Sequence, residues 1–419
     1  MYSTSVHPNI ANLPADRSTQ PSRRSPLLLI VVFVSTGLSM IPGEAIPGVP
    51  LSGVAWVVPL AWALVAAVNT PGKTAFPVGI WLPWLGLVVL YTAVSDSPSA
   101  IQRSVMIFCP LVIGAVVSRA RIFSSDLDDV RRHFSKLQIA IVIVALLRTA
   151  ILVTGVLPVT SDLAALVMTS TLLCATLATR YATGERLALL WWAVLTAIPI
   201  VGVTRTGIAA AALTLPLTLA PISPKRRLLL LTVVSLAGLA VFQTEPIQRK
   251  MFYSGSGTLS EVRADNLNFA TTGRTSMWTE MSEAIARRPL LGHGANASEA
   301  LIADLTNGAL THPHNDWLRL LYDYGYLGAA VFALTLLAQT LHTLRHARHA
   351  TGEARILLFS GASSFIPFAM FMSTDNIILY AAFFGNLQFM TLGLGYAALR
   401  TQQEDRVNTL RRTAGDARH

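Results

Sequence analysis

Apolar segments long enough to cross a membrane recur along this chain. A spanning helix needs about 20 mostly apolar residues, and about twelve segments of the sequence approach that length. They lie at 26–41, 51–68, 76–94, 104–118, 137–155, 162–179, 187–203, 206–222, 228–243, 316–340, 356–373 and 377–398. Only 13% of the 419 residues are charged, against about 25% in soluble domains. We therefore predict an all-α polytopic membrane protein with about twelve transmembrane helices, and we exclude soluble, disordered and fibrous proteins.

The distribution of Lys and Arg predicts the orientation of the chain. The sequence carries 32 Lys and Arg against 22 Asp and Glu, a net charge of +10. If the N-terminus is cytoplasmic, most of these cations fall in inner loops, as the positive-inside rule requires. We expect a multi-pass protein of the cell's inner (plasma) membrane with both termini in the cytoplasm. The basic surplus then contacts anionic lipid headgroups of the bilayer, and no nucleic-acid partner is implied.

The predicted spans divide the chain into five parts. Residues 1–25 are expected to be a disordered cytoplasmic tail, and 26–243 to hold transmembrane helices one to nine. Residues 244–315 form a long external loop, which separates these helices from helices ten to twelve at 316–398. Residues 399–419 are a second cytoplasmic tail. Long loops in compact proteins are usually functional or disordered, so the external loop is the place to look for chemistry.

Part of this loop has helical periodicity. Apolar side chains recur at helical spacing from Trp278 to Ile285. This spacing predicts an amphipathic helix at about 275–288, lying against the membrane or the helix bundle. The stretch Pro289–Gly294 is expected to end it.

Two arginines on the external side are candidates for anion binding. Arg205 lies in a very short turn between two apolar segments, and Arg274 precedes the predicted loop helix. A planar guanidinium binds phosphate oxygens bidentately, and a helix N-terminus also favours phosphate. The alternatives are a snorkelling or capping role for Arg205 and an ordinary solvated position for Arg274.

A histidine lies where the tenth predicted helix begins. His314 belongs to the segment Thr311–Trp317, in which Asn315 or Asp316 is suited to cap the helix. Histidine titrates near neutral pH and is the commonest general base. The alternatives are a capping histidine or a metal ligand paired with His312. No spacing here matches a zinc signature, so we expect no metal.

Charged residues continue into the tenth predicted helix. Arg319 and Asp323 are one helical turn apart, so their side chains share a face. Charges inside a membrane are costly and usually paired, which leaves both a mutual ion pair and a substrate contact open. Asn315, Asp316 and Arg319 are candidates for a supporting role. Asp375, in a predicted external turn, is most simply explained as a helix cap.

The motifs together resemble the O-antigen ligase and O-antigen polymerase superfamily. The residues that carry the resemblance are Thr204-Arg205-Thr206-Gly207, Gly273-Arg274-Thr275, Trp278, Pro289–Gly294, His314–Leu318 and Tyr324–Gly328. Their order and the position of the long loop also agree. One departure is Asp323, where the family often carries Glu before the glycine-containing turn.

The resemblance implies an integral-membrane C-type glycosyltransferase of polysaccharide biosynthesis in the cell envelope. The donor would be a glycan on a polyprenyl diphosphate such as undecaprenyl diphosphate. The acceptor would be a glycolipid or glycan hydroxyl at the external, or periplasmic, face. By this analogy Arg205 and Arg274 hold the diphosphate, and His314 acts on the acceptor hydroxyl. The implied enzyme is metal-independent and has no cofactor.

The sequence leaves competing functions open. One base without an evident nucleophile implies a single displacement, and therefore inversion at the anomeric carbon. A ligase and a polymerase would share the donor and differ in the acceptor; the compact His-Pro-His-Asn-Asp loop at 312–316 favours the ligase. A membrane transporter is the alternative of another class, but the internal repeats typical of transporters are not evident. A structural scaffold would leave the external arginines without a role.

Overall fold

A computed structural model describes residues 25–40, 44–46, 49–69, 72–154, 163–263, 266, 268–270 and 274–416. The tail predicted at 1–25 lies outside these residues except for Ser25. The described chain is almost entirely helical. Its one strand pair consists of β1 (Glu44–Ile46) and β2 (Val49–Pro50), which run antiparallel.

Sixteen α-helices are found in the described residues. They are α1 (Ser25–Leu38), α2 (Leu51–Asn69), α3 (Leu82–Ala93), α4 (Ala100–Val117), α5 (Ser124–Thr154), α6 (Leu163–Ala182), α7 (Leu187–Val201), α8 (Arg205–Leu213), α9 (Pro224–Phe242), α10 (Glu245–Met251), α11 (Arg274–Arg287), α12 (Ala297–Leu305), α13 (Asp316–Ala347), α14 (Gly352–Ser363), α15 (Phe365–Met372) and α16 (Asn386–Asp416).

Five spans among the described residues are long and apolar enough to cross a membrane. They are α4, most of α5, α6, α13 and the consecutive pair α14 and α15. The pair α9 and α10, which is bent by 77°, would bring the number to six. Helices α1, α2, α3 and α7 are apolar but shorter over their described parts. An almost entirely helical fold with candidate membrane spans is thus confirmed for the described residues, whereas twelve spans stay a prediction.

Two predicted segments differ from the helices observed. The segment predicted at 206–222 is α-helical only as far as Leu213, after which the chain continues in turns. The last predicted span begins irregularly, and its helix, α16, continues through most of the predicted cytoplasmic tail to Asp416.

The core is formed where α4, α6, α14 and α16 pack together. Every residue of α6 from Ala165 to Arg180 is buried, as expected of a helix surrounded by other helices. Glycines permit the closest approach: a Cβ on Gly393 of α16 would lie 2.5 Å from the carbonyl oxygen of Gly114 in α4. Small residues at membrane helix interfaces allow such contact, so this region is a rigid support.

Helix α13 is broken near its N-terminal end. Gly325 has φ +66° and ψ −173°, which is not helical. The chain after α11 fills this break: Tyr326 donates its backbone N–H to the carbonyl of Pro289 over 2.7 Å, and His293 donates to Tyr322 over 2.9 Å. Irregular backbone among membrane helices is tolerated where other groups complete its hydrogen bonds.

Two glycines make this junction possible. Gly292 has φ +70°, and a Cβ added there would lie 2.5 Å from the backbone nitrogen of Gly325. Both residues therefore need the left-handed backbone and the absent side chain that glycine provides. The sequence motifs Pro289–Gly294 and Tyr324–Gly328 are the two halves of one backbone junction, which holds the segment after α11 against α13.

Candidate active site

Helix α11 carries one side of the candidate site. It spans Arg274–Arg287, in agreement with the amphipathic helix predicted at 275–288. Met277, Met281, Ala284 and Ile285 are its buried residues. They pack with α12 and with the outer end of α13, so the apolar face of the helix lies on the helix bundle.

Trp278 ties α11 to the segment that contains His314. The indole N–H of Trp278 donates to the backbone carbonyl of Pro313 over 2.7 Å. His314 itself has φ +50°, a backbone conformation that is uncommon outside glycine and often found at functional sites. Asn315 then caps α13, because its side chain accepts the N–H of Leu318 over 3.1 Å. Of the two residues predicted to cap this helix, Asn315 is therefore the one that does so.

A short segment between α15 and α16 connects the two predicted anion-binding arginines. Arg274 donates from Nη1 to the carbonyl of Thr374 over 2.9 Å. The hydroxyl of Thr374 donates to that of Thr206 over 2.7 Å. Since Thr206 follows Arg205 directly, Thr374 brings the start of α8 next to the start of α11.

Arg205 is the first residue of α8, and its side chain is oriented by the segment before α11. Its Nη1 donates to the carbonyl of Ala270 over 2.7 Å, and its guanidinium lies 5.5 Å from the centre of the Phe269 ring. Burial lowers the pKa of Arg205, and the positive charge of Arg274 lowers it further. Within the described residues neither arginine forms an ion pair with a carboxylate. Two neighbouring cations without a counter-ion attract an anionic ligand.

His314 lies next to a carboxylate that sequence reasoning did not place in the site. Its Nδ1 is 3.4 Å from Oδ1 of Asp375. The side-chain nitrogen of Asn376 is 3.3 Å from the same Nδ1. Oδ1 of Asp375 also accepts the backbone N–H of Asn376 and the hydroxyl of Tyr380. When Nδ1–H donates to this carboxylate, Nε2 is the unprotonated nitrogen and can act as a base.

The expectation that Asp375 caps a helix was therefore wrong. The one sequence signal for its position was the polar stretch Ser373–Asn376 between two long apolar segments. A polar turn of this kind has many explanations. Only the folded chain places Asp375 beside His314, which is 61 residues away.

A cavity of about 550 Å³ opens beside His314. Its lining residues are Arg274, Ser276, Met277, Glu280, Leu305, Thr306, Leu310 and His314. This volume is typical of small-molecule sites. One predicted phosphate-binding arginine and the predicted base thus face the same space, whereas Arg205 lies outside the lining.

The predicted supporting residues Asp316 and Arg319 form a buried ionic cluster with Asp323. Arg319 lies 3.7 Å from Oδ1 of Asp316 and 3.6 Å from Oδ2 of Asp323. The other oxygen of each carboxylate accepts a backbone N–H: Asp316 from Ile378, and Asp323 from Ser298 at the start of α12, both over 2.8 Å. Of the two alternatives left open for Arg319 and Asp323, the structure shows the mutual ion pair. This cluster holds neighbouring segments in place and does not line the cavity.

His312 is directed away from His314 toward Arg103. The distance from His312 Nε2 to Arg103 Nη2 is 3.2 Å, and the same Nη2 lies 3.4 Å from Glu299. Burial, followed by the charge of Arg103, lowers the pKa of His312 to about 4. Burial raises the pKa of Glu299, but hydrogen bonds from Ser99 and Asn296 and the charge of Arg103 lower it overall. A guanidinium at Nε2 makes His312 a poor metal ligand, and no metal-binding group of three or more suitable side chains occurs in the described residues.

Comparison with known families identifies the segment that carries most of this geometry. Residues 188–333 match the family model of O-antigen ligase (Wzy_C). This segment, about a third of the 419 residues, is similar to O-antigen ligases. A comparison with curated proteins gives no match.

The matched segment extends from α7 into α13. It contains Arg205, Arg274 and His314, which the sequence motifs singled out, and the glycine junction between α11 and α13. Asp375 lies beyond its end and reaches the domain through the tertiary fold. The resemblance to the O-antigen ligase superfamily is therefore confirmed.

Proposed function

We propose that this O-antigen ligase family protein is a glycosyltransferase that moves a glycan from a polyprenyl diphosphate to an acceptor hydroxyl. The observation that carries this function is that three segments meet at Thr374 and Asp375. Arg274 donates to Thr374, Thr374 donates to Thr206 next to Arg205, and His314 lies 3.4 Å from Asp375. Glycosyl transfer from a diphosphate needs anion-binding groups and a base close together, and this arrangement supports assigning those roles to the two arginines and to His314.

The two arginines stabilise the leaving group. As the bond from the anomeric carbon to the diphosphate breaks, the diphosphate oxygen takes the electron pair and becomes more negative. Arg205 and Arg274 supply two positive charges there, and the first N–H groups of the 14-residue helix α11 point toward the same place. Such preorganised groups lower the barrier most in a poorly hydrated site. They perform the task for which many soluble transferases use a metal ion.

His314 activates the acceptor. Asp375 accepts a hydrogen bond from Nδ1–H of His314, so Nε2 can take the hydroxyl proton as the acceptor oxygen attacks the anomeric carbon. The new glycosidic bond forms as the bond to the diphosphate breaks, and the configuration at carbon inverts. Among the residues that line the cavity, only Glu280 carries a carboxylate, and we assign it no nucleophilic role.

We place this reaction at the external face of the inner (plasma) membrane. The five helices of spanning length support a membrane location, and the excess of basic residues in alternate loops supports twelve spans with both termini in the cytoplasm. A variant with Glu283→Cys on the exposed face of α11 should react with a membrane-impermeant maleimide added outside intact cells. Labelling only after the cytoplasmic side is exposed would contradict this orientation.

The decisive experiment supplies the purified protein, in lipid nanodiscs, with a polyprenyl-diphosphate glycan and candidate acceptors. We expect transfer that survives EDTA. Arg205→Ala, Arg274→Ala and His314→Ala should each reduce it by about 10²-fold or more. Arg287→Ala is the matched control, because Arg287 is an exposed arginine at the far end of α11.

The products distinguish the related functions. Attachment of one glycan to a different acceptor identifies a ligase, whereas chains of increasing length on the lipid carrier identify a polymerase. Activity that is lost on chelation and restored by a divalent ion would contradict the metal-free mechanism. Substrate uptake without any glycan transfer would establish the transporter instead.

A further inference from the structure

The cavity beside His314 is built entirely from the external segment. All of its lining residues lie between Arg274 and His314, and none belongs to a predicted membrane span. A polyprenyl chain needs apolar surface within the bilayer, so this space suits the water-soluble part of a substrate. Of the two arginines to which the proposed function assigns the diphosphate, Arg274 lines the cavity and Arg205 does not.

The chemistry of the wall matches a carbohydrate. Met277, Leu305 and Leu310 provide apolar surface, against which the C–H face of a sugar ring can pack. Thr306 and Glu280 add polar groups to the lining. Apolar surface combined with polar groups that set orientation is typical of small-molecule recognition.

We propose that this cavity binds the acceptor glycan and that Glu280 makes it select neutral or amino sugars over acidic ones. The part of this inference that concerns transfer rests on the proposed function. The acceptor belongs here because its hydroxyl must reach His314, which lines the cavity, while the donor diphosphate must reach Arg205, which does not.

Glu280 sets the charge of the cavity lining next to the acceptor. It is the single carboxylate in the lining, and the charge of Arg274, the arginine of the lining, is directed to the donor diphosphate in the proposed function. An ionised carboxylate only accepts hydrogen bonds, so it favours hydroxyl and ammonium groups. A uronic acid at the same place would bring two negative charges together. Glu280 is therefore a specificity residue rather than a catalytic one.

The test compares variants at Glu280 with Glu283→Gln. Glu283 is exposed on the same helix, one turn further along, and does not line the cavity. The probes are a neutral hexose trisaccharide, the same trisaccharide ending in an amino sugar, and one ending in a uronic acid. With each acceptor, KM for acceptor and KM for donor are measured separately.

We expect Glu280→Gln to raise acceptor KM by about tenfold for the neutral and amino acceptors, as loss of a charged hydrogen bond would do. Donor KM should stay unchanged. Glu280→Lys should reverse the preference, so that the uronic-acid acceptor becomes the best. Equal kinetics of the Glu280 and Glu283 variants, or a change in donor KM alone, would overturn the inference; the latter would place the donor glycan in the cavity.

A binding measurement separates this inference from the proposed function. Calorimetric titration of the unlinked trisaccharides into the protein requires no donor and no turnover. Binding of the neutral trisaccharide that weakens in Glu280→Gln but not in Glu283→Gln supports the acceptor site even if no transfer is detected. Absence of binding to wild-type protein that still transfers glycan would overturn the acceptor site and leave the proposed function intact.

Discussion

Two charged clusters meet near the start of α13 and differ in their exposure to solvent. The side chains of His314 and Asp375 are 26% and 25% exposed. Those of Arg319 and Asp316 are 6% and 0% exposed. In the first cluster His314 lines a cavity. In the second, an arginine lies between two carboxylates whose remaining oxygens accept backbone N–H groups. Charges paired with one another stabilise the fold, whereas groups beside open space remain available to a substrate.

The largest difference in stability between the two clusters is expected from a substitution at Arg319. Arg319→Ala leaves Asp316 and Asp323 buried without their cation. Breaking a buried ion pair in this way costs about 3–5 kcal/mol, so the free energy of unfolding should fall by that amount. Thermal unfolding in detergent measures it, with Arg287→Ala as the exposed control. An unfolding temperature equal to that of the control would mean that the cluster does not stabilise the fold.

A large effect on activity is expected at Asp375. Asp375→Asn keeps the size of the side chain but removes the carboxylate that orients His314, so the base is held in the wrong tautomer. We expect kcat to fall by about 10²-fold with little change in unfolding temperature. Measurement of kcat against pH provides the check. An unchanged profile would remove Asp375 from the mechanism and leave His314 to act alone.

The glycine junction tests whether the site depends on the attachment of α11 to α13. Gly325→Ala places a Cβ against the backbone of Leu290 and strains a residue at φ +66°. The strain alone is worth about 1–3 kcal/mol, and the unfolding temperature should fall accordingly. Gly238→Ala is the matched control, since a Cβ on Gly238 meets nothing within 4 Å. Equal behaviour of the two variants would show that the junction can relax.

The smallest expected effect is a pH dependence at His312. Its pKa is about 4 in the folded protein, below its ordinary value of 6.5. Between these values the unfolded chain binds the proton and the folded chain does not, so the folded state loses stability as pH falls from about 6.5 to about 4. His312→Gln should make the unfolding temperature less dependent on pH in this window. If the unfolding temperature depends on pH equally in the variant and the wild type, other groups cause the acid sensitivity.

The sequence predicted helices and motifs better than it predicted their partners. Helix α11 was predicted to within one residue at each end because its apolar side chains repeat with the period of a helix. Arg205, Arg274 and His314 were found because each lies in a short polar motif beside a long apolar segment. Asp375 was missed because a single carboxylate in a polar turn has no periodicity and no local partner.

The apolar segments decided that this chain folds as membrane helices, since the exclusion of apolar side chains from water depends on composition and length alone. The polar motifs decided which residue types are available for chemistry. Tertiary packing then decided which of them meet: Thr374 joins Arg274 to Thr206, and Asp375 reaches His314. Such contacts join residues that are tens to more than a hundred positions apart, and they depend on distances that only the packed helices set.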